Sequence, residues 1–157
     1  MFHLVIDGRP AECRDGATIL DALRASGVGV PTLCHDSRLE SYGGCRLCIV
    51  EVGGWRKPVT ACTTPAADGM RIDTHTPELE TLRRSLLKLI ANDYPEEAYR
   101  RDPGKEFHRY IHEYGLEQEL NGRVDPALLD DAHPYIRVDM SQCVYCFRCV
   151  RICDEVQ

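Results

Sequence analysis

The spacing of apolar residues changes several times along the chain. Phe2-His3-Leu4-Val5-Ile6 and Glu12-Cys13-Arg14 read as strands, and Asp7-Gly8-Arg9-Pro10 between them is rich in turn formers, so a β-hairpin is predicted. Asp15-Gly16-Ala17-Thr18 then opens a helical pattern with Ile19, Leu20, Ala22 and Leu23 on one face, closed by Gly27. Residues 28–46 keep neither period and read as loop. Short strands follow near Leu47–Val52 and Pro58–Ala61, with Gly53-Gly54 as the hairpin signal, and Met70–Thr74 is a last strand. Strands wrapped around one helix within residues 1–76 describe an α+β domain of β-grasp type.

Thr76-Pro77-Glu78 is a strong helix start, with a capping hydroxyl, proline at the first helical position and an acid in the first turn. Leu79, Leu82, Leu86, Leu89 and Ile90 recur at helical spacing, which predicts an amphipathic helix over 77–91 whose stripe is core packing. Residues 92–135 are polar but dotted with aromatics, including Tyr94, Tyr99 and Phe107, and read as a structured connector with one or two short helices. His133-Pro134-Tyr135 reads as the turn into a short strand at Ile136–Val138. His108 and His112 stand four apart and are expected on a solvated helix face, not as a metal site.

In 157 residues, 43% hydrophobic and 28% charged, the composition is that of an ordinary globular chain. No apolar run approaches the roughly 18 residues of a membrane span. The start lacks a secretory signal, and a cytoplasmic location is expected. A net charge of −6 speaks against general nucleic-acid binding.

Cysteine is the unusual component. Nine are present, five between 13 and 62 and four between 143 and 153, with none in 63–142. An odd number of thiols in a reducing compartment points to metal rather than disulfides. Cys13 lies in a predicted strand and reads as a buried structural thiol.

Cys34, Cys45, Cys48 and Cys62 form C-x10-C-x2-C-x13-C. Four thiolates build a [2Fe–2S] centre, and the tight pair lets two sulfurs of one loop reach it. Gly43 and Gly44 let the backbone curl toward such a centre and aim N–H groups at its sulfurs, while Arg46 adds positive potential. A four-cysteine zinc site is the competing reading, but zinc ribbons usually present two C-x2-C knuckles where this stretch has one. His35, beside Cys34, is expected at the surface or as a hydrogen-bond donor to the site.

Cys143, Cys146, Cys149 and Cys153 form C-x2-C-x2-C-x3-C, nearly the bacterial ferredoxin run for [4Fe–4S] clusters, with Asp154 in place of the usual proline. In that run the fourth cysteine serves a second cluster, so Cys143, Cys146 and Cys149 lack a ligand and Cys153 lacks three. The alternative is a single local cluster closed by Cys153.

The segments Val30-Pro-Thr-Leu-Cys34, Gly43-Gly-Cys-Arg-Leu-Cys48 and Ala61-Cys62-Thr-Thr-Pro65 resemble the N-terminal ferredoxin-like domain of a known group. It comprises the large subunit of NAD-linked molybdenum formate dehydrogenases, the diaphorase small subunit of bidirectional hydrogenases, iron-only hydrogenases and the large iron–sulfur subunit of respiratory complex I. The x10, x2, x13 spacing is similar to that group's own, and Leu82-Arg83-Arg84 with the C-terminal motif favours the formate dehydrogenase branch. The resemblance implies a [2Fe–2S] ferredoxin-like domain over 1–76, a helical connector over 77–135 and a partial [4Fe–4S] ferredoxin-like domain over 136–157. It implies that the missing ligands lie in a longer chain. It also implies that the histidine-and-three-cysteine cluster of related proteins is absent, since Asn92-Asp93-Tyr94-Pro95 stands where its histidine would be.

No residue constellation here performs bond chemistry, and no catalytic site is expected in this chain. The expected function is one-electron relay between flavin/NAD-binding and substrate-reducing subunits, by resemblance those of a molybdenum formate dehydrogenase. An equivalent hydrogenase or complex I-like relay, a stand-alone redox-sensing protein and a zinc module are the alternatives.

Overall fold

A computed structural model describes all 157 residues. The chain forms two compact units, Met1–Arg83 with Phe147–Gln157, and Arg84–Cys146.

In the first unit, β1 (Phe2–Ile6) and β2 (Arg9–Cys13) form the expected hairpin, with Asp7 and Gly8 both at positive φ in its turn. They join β3 (Ile49–Val52), β4 (Val59–Thr60) and β5 (Arg71–Asp73) in one sheet of order β2-β1-β5-β3-β4. β5 runs parallel to β1 and antiparallel to β3, so the central strand is the last in sequence. A single helix, α1 (Ile19–Ala25), shares the core with the inward side chains Leu4, Ile6, Val50, Val52 and Ile72. The strands are short, so the sheet is tied together at its ends by side chains. The Asp7 carboxylate accepts both the main-chain N–H and the hydroxyl of Thr74, at 2.8 and 2.7 Å, joining the hairpin turn to the end of β5.

The long helix α2 spans Pro77–Ala91, as its start signal and apolar spacing predict, and the boundary between the units falls within it. Its buried face differs from the predicted stripe. Leu79, Arg83, Leu87 and Ala91, each four apart, are fully buried, whereas Leu82 and Leu89 are 44% and 72% exposed. The leucine pattern is shifted because the second buried position holds a charged residue that hydropathy scores as surface.

In the second unit, α3 (Glu96–Arg101) and α4 (Glu106–Glu113) enclose a small aromatic core, followed by the two-residue pair β6 (Leu129–Asp130) and β7 (Val138–Asp139). His108 is not on a solvated face: it is buried, while His112 is exposed. One His108 ring nitrogen faces the Asp102 carbonyl, which only accepts, so Nδ1 carries hydrogen and Nε2 accepts from the Tyr94 hydroxyl at 2.8 Å. Burial holds the imidazole below its ordinary pKa and pushes the Tyr94 phenol up to about 12, so both stay neutral at pH 7. Tyr94 packs edge-on to Phe107 at 4.9 Å and to His108 at 5.3 Å. The last helix, α5 (Arg148–Glu155), belongs to the first unit.

α1 begins with a complete capping box: Thr18 Oγ1 accepts from Asp21 N, and the Asp21 carboxylate accepts from Thr18 N at 2.9 Å. Thr18→Ala is expected to cost about 1 kcal/mol in urea unfolding. The bond from Thr18 N holds the Asp21 carboxyl below its usual pKa. A depressed folded-state pKa stabilises above the unfolded value of about 3.9 and is lost as pH falls through the lower folded value. Asp21→Asn is therefore less stable than the parent at pH 7, with the gap narrowing as pH falls below the unfolded carboxyl value of about 4; a gap that widens as pH falls through that range would contradict this.

Candidate metal centre

Cys34, Cys48 and Cys62 are buried and Cys45 is half-buried, and none is in a disulfide. Each reaches the site on a different support. Cys34 and Cys45 come from the irregular segment after α1, Cys48 from the residue before β3, and Cys62 from the turn after β4. That turn is anchored on α1. The first N–H groups of the helix have no partner within it, and here Ile19 N and Leu20 N donate to Thr64 O and Ala61 O, both at 2.9 Å. The helix start thus grips the main chain on both sides of Cys62.

The Cys48 carbonyl accepts from Ala61 N at 3.0 Å, which sets Cys48 beside Cys62. Cys45 N donates to Cys34 Sγ at 3.4 Å, which sets those two together. The thiols therefore meet as two pairs, Cys34 with Cys45 and Cys48 with Cys62. In the first pair a hydrogen bond between the thiols pushes Cys34 up, and the same bond, aided by main-chain bonds, brings Cys45 down to about 5 against the cost of burial. In the second pair the thiol–thiol bond lowers Cys48 and raises Cys62. In each pair one sulfur is pushed up and the other down, and thiol ligands must lose their protons to bind metal.

No three His, Cys, Asp or Glu side chains converge as ligands of one ion. A tetrahedral zinc needs all four thiolates on one point, whereas a two-iron centre takes four thiolates shared over two metals. Thiols arranged two and two fit the second group.

The loop from Cys34 through Cys45 to Cys48 is bent where the sequence places its glycines. Gly43 has φ +68°, and a Cβ there would lie 3.3 Å from Thr60 Oγ1 and from Thr63 Cγ2. Gly44 lies against the Tyr42 ring, which takes up the space a Cβ would need. Arg46 adopts a left-handed φ of +55° with its side chain exposed, so it turns the chain between Cys45 and Cys48. His35 is tied down next to Cys34. Arg24 Nη1 can only donate, so His35 Nε2 accepts it at 2.7 Å, and Nδ1–H donates to Ser41 Oγ at 3.1 Å. Burial and the Arg24 charge hold this imidazole below its ordinary pKa, consistent with the neutral form.

Among the C-terminal cysteines, Cys143 follows a single 3-10 turn (Met140–Gln142), Cys146 stands between Tyr145 and Phe147, and Cys149 and Cys153 lie exposed on α5. Tyr145 and Phe147 have φ of +53° and +57°. Of four non-glycine residues with positive φ in the chain, three thus lie inside the cysteine runs, a concentration of strain typical of functional loops. α5 is fastened to the segment between Cys34 and Cys45. Glu155 accepts from Glu40 N at 2.8 Å, Arg151 donates to Glu40 O, and the Arg151 guanidinium sits 4.6 Å from the Tyr42 ring centre.

One contributor was not visible in the sequence. Arg83 is completely buried and donates Nε to Leu47 O at 3.1 Å and Nη2 to Ile49 O at 2.7 Å. No metal-ligand spacing or apolar period marks it.

Residues 1–77 match the family model of the 2Fe-2S iron-sulfur cluster binding domain. Over 99% of its length the chain is 32% identical to the NADH-ubiquinone oxidoreductase 75 kDa subunit of Reclinomonas americana, of which it spans 23%. It is also 32% identical to NADPH-Fe(3+) oxidoreductase subunit alpha of Geobacter sulfurreducens, spanning 19% of it. It is 31% identical to the mitochondrial NADH dehydrogenase (ubiquinone) iron-sulfur protein 1 of Solanum tuberosum and spans 22% of it. The chain thus spans about a fifth of the length of these relatives. The crystal structure of a NAD+-reducing [NiFe]-hydrogenase in the H2-reduced state superposes with a TM-score of 0.81 at 25% identity, over 99% of this chain and 67% of that one.

Gly43→Ala is expected to cost about 1–2 kcal/mol from the left-handed backbone alone, plus the crowding against Thr60 and Thr63. Gly54→Ala, at φ +84° with open space around it, should lose only the backbone part. Equal losses in denaturant titrations would show that the crowding at Gly43 carries no energy. The first 77 residues match the 2Fe-2S iron-sulfur cluster binding domain family, and over nearly its whole length the chain is similar to part of NADH- and NADPH-linked oxidoreductase subunits.

Proposed function

We propose that the chain is an electron-transfer module of an NADH- or NADPH-linked oxidoreductase, with Cys34, Cys45, Cys48 and Cys62 as ligands of a [2Fe–2S] cluster on a β-grasp domain. The observation that carries this reading is the two-and-two pairing of four thiols in the domain matched by the family model. When bound, such a centre takes up and releases one electron at a time. The chain's own residues supply the thiolates, exclude water by burying three of the four cysteines, and bend the loop at Gly43 and Arg46.

Cys143, Cys146, Cys149 and Cys153 belong to the same proposal as ligands of a [4Fe–4S] cluster. Their spacing and the left-handed residues among them support it, with the remaining ligands supplied by a longer chain. Electrons then pass between a flavin/NAD-binding partner and a second redox subunit. The run Leu82-Arg83-Arg84 and the C-terminal cysteine motif favour a molybdenum formate dehydrogenase centre as that terminus. The names of the relatives favour a quinone- or iron(III)-reducing one. No helix is long and apolar enough to cross a membrane.

Anaerobically purified protein should contain two irons and two acid-labile sulfides per chain at the first site. Cys48→Ser should abolish the paramagnetic signal of the reduced [2Fe–2S] form, while Cys13→Ser, on a buried strand thiol outside the pairs, leaves it intact. Stoichiometric zinc without sulfide, or equal loss in both variants, would overturn the reading.

A further inference from the structure

β5 pairs with β3 only at Glu51 and Val52. Upstream, on the same edge of the strand, the carbonyls of Leu47 and Ile49 have no strand to accept from, and both residues are buried. Arg83 fills that place. From α2 its guanidinium reaches both carbonyls, and its third nitrogen, Nη1, bonds the half-exposed Glu80 at 2.6 Å. The two carbonyls flank Cys48, whose own carbonyl points the other way, to Ala61 N beside Cys62. A planar fork can hold two acceptors in fixed relation where an ammonium cannot.

We propose that Arg83 is a positioning residue of the iron–sulfur site. It holds Cys48 opposite Cys62 through the carbonyls on either side, and it sets a buried positive charge behind the ligand loop that raises the reduction potential of the bound cluster. This inference rests on the [2Fe–2S] reading above. Reduction adds one negative charge to the cluster, so a cation fixed in a region of low dielectric favours the reduced form, and Glu80 offsets part of that effect.

The test uses the full chain, purified anaerobically and titrated at controlled potential with redox mediators, the reduced cluster being followed by electron paramagnetic resonance. Arg83→Met should lower the reduced-to-oxidised ratio at a given potential about tenfold, equal to a downward shift of about 59 mV for a one-electron couple. Arg83→Lys keeps the charge but not the fork, so it should stay near the parent potential while losing iron several-fold faster to a chelator. Glu80→Gln removes the compensating carboxylate without touching the core and should shift the potential upward. An Arg83→Met protein with its cluster at the parent potential would overturn the proposal, as would a downward shift in Glu80→Gln. If Arg83→Met does not fold, the Glu80→Gln shift decides: upward supports the proposal and no shift refutes it. Parent protein without acid-labile sulfide would refute the functional reading and this inference together, whereas a normal cluster with unmoved potentials refutes this inference alone.

Discussion

Four thiols are packed into one small, largely dry region, and the rest of the first unit is arranged around that constraint. Four thiolates so close repel one another, and burial penalises each charge further. The protein divides the cost by pairing them. Cys34 donates to Cys45 and a second thiol–thiol bond joins Cys48 and Cys62, so in each pair one sulfur is pushed up and the other down.

The Cys48–Cys62 pair is then held by hydrogen bonds from three parts of the fold. The N-terminus of α1 uses its spare donors on the carbonyls around Cys62, an edge carbonyl of the strand leading into β3 fixes Cys48, and Arg83 completes the other edge. Arg46 is the one non-glycine residue of this loop in the left-handed region, whereas Gly43 adopts its positive φ without a Cβ penalty.

Much of this was legible in the sequence. The hairpin at Asp7-Gly8, the α1 capping residues and the Thr76-Pro77-Glu78 helix start are local signals, and the elements they predict lie within a residue or two of those observed. The cysteine spacing singled out Cys34, Cys45, Cys48 and Cys62, and the fold brings these four thiols close together. What was not legible depends on long-range partners. Arg83 reads as surface by hydropathy and is buried only because two strand carbonyls 34 and 36 residues away need donors. His108 likewise sits in a polar stretch, and only the Tyr94 hydroxyl and the Asp102 carbonyl make its burial affordable. The division of the thiols into pairs is also tertiary, since the tight Cys45–Cys48 spacing would suggest that those two are partners.

The central claim is that four cysteine sulfurs share two irons. Iron X-ray absorption on the anaerobically purified chain measures this most directly. The account predicts an all-sulfur first shell with a neighbouring iron in the second. A shell containing nitrogen or oxygen ligands, a single iron without an iron neighbour, or zinc in iron's place would contradict it.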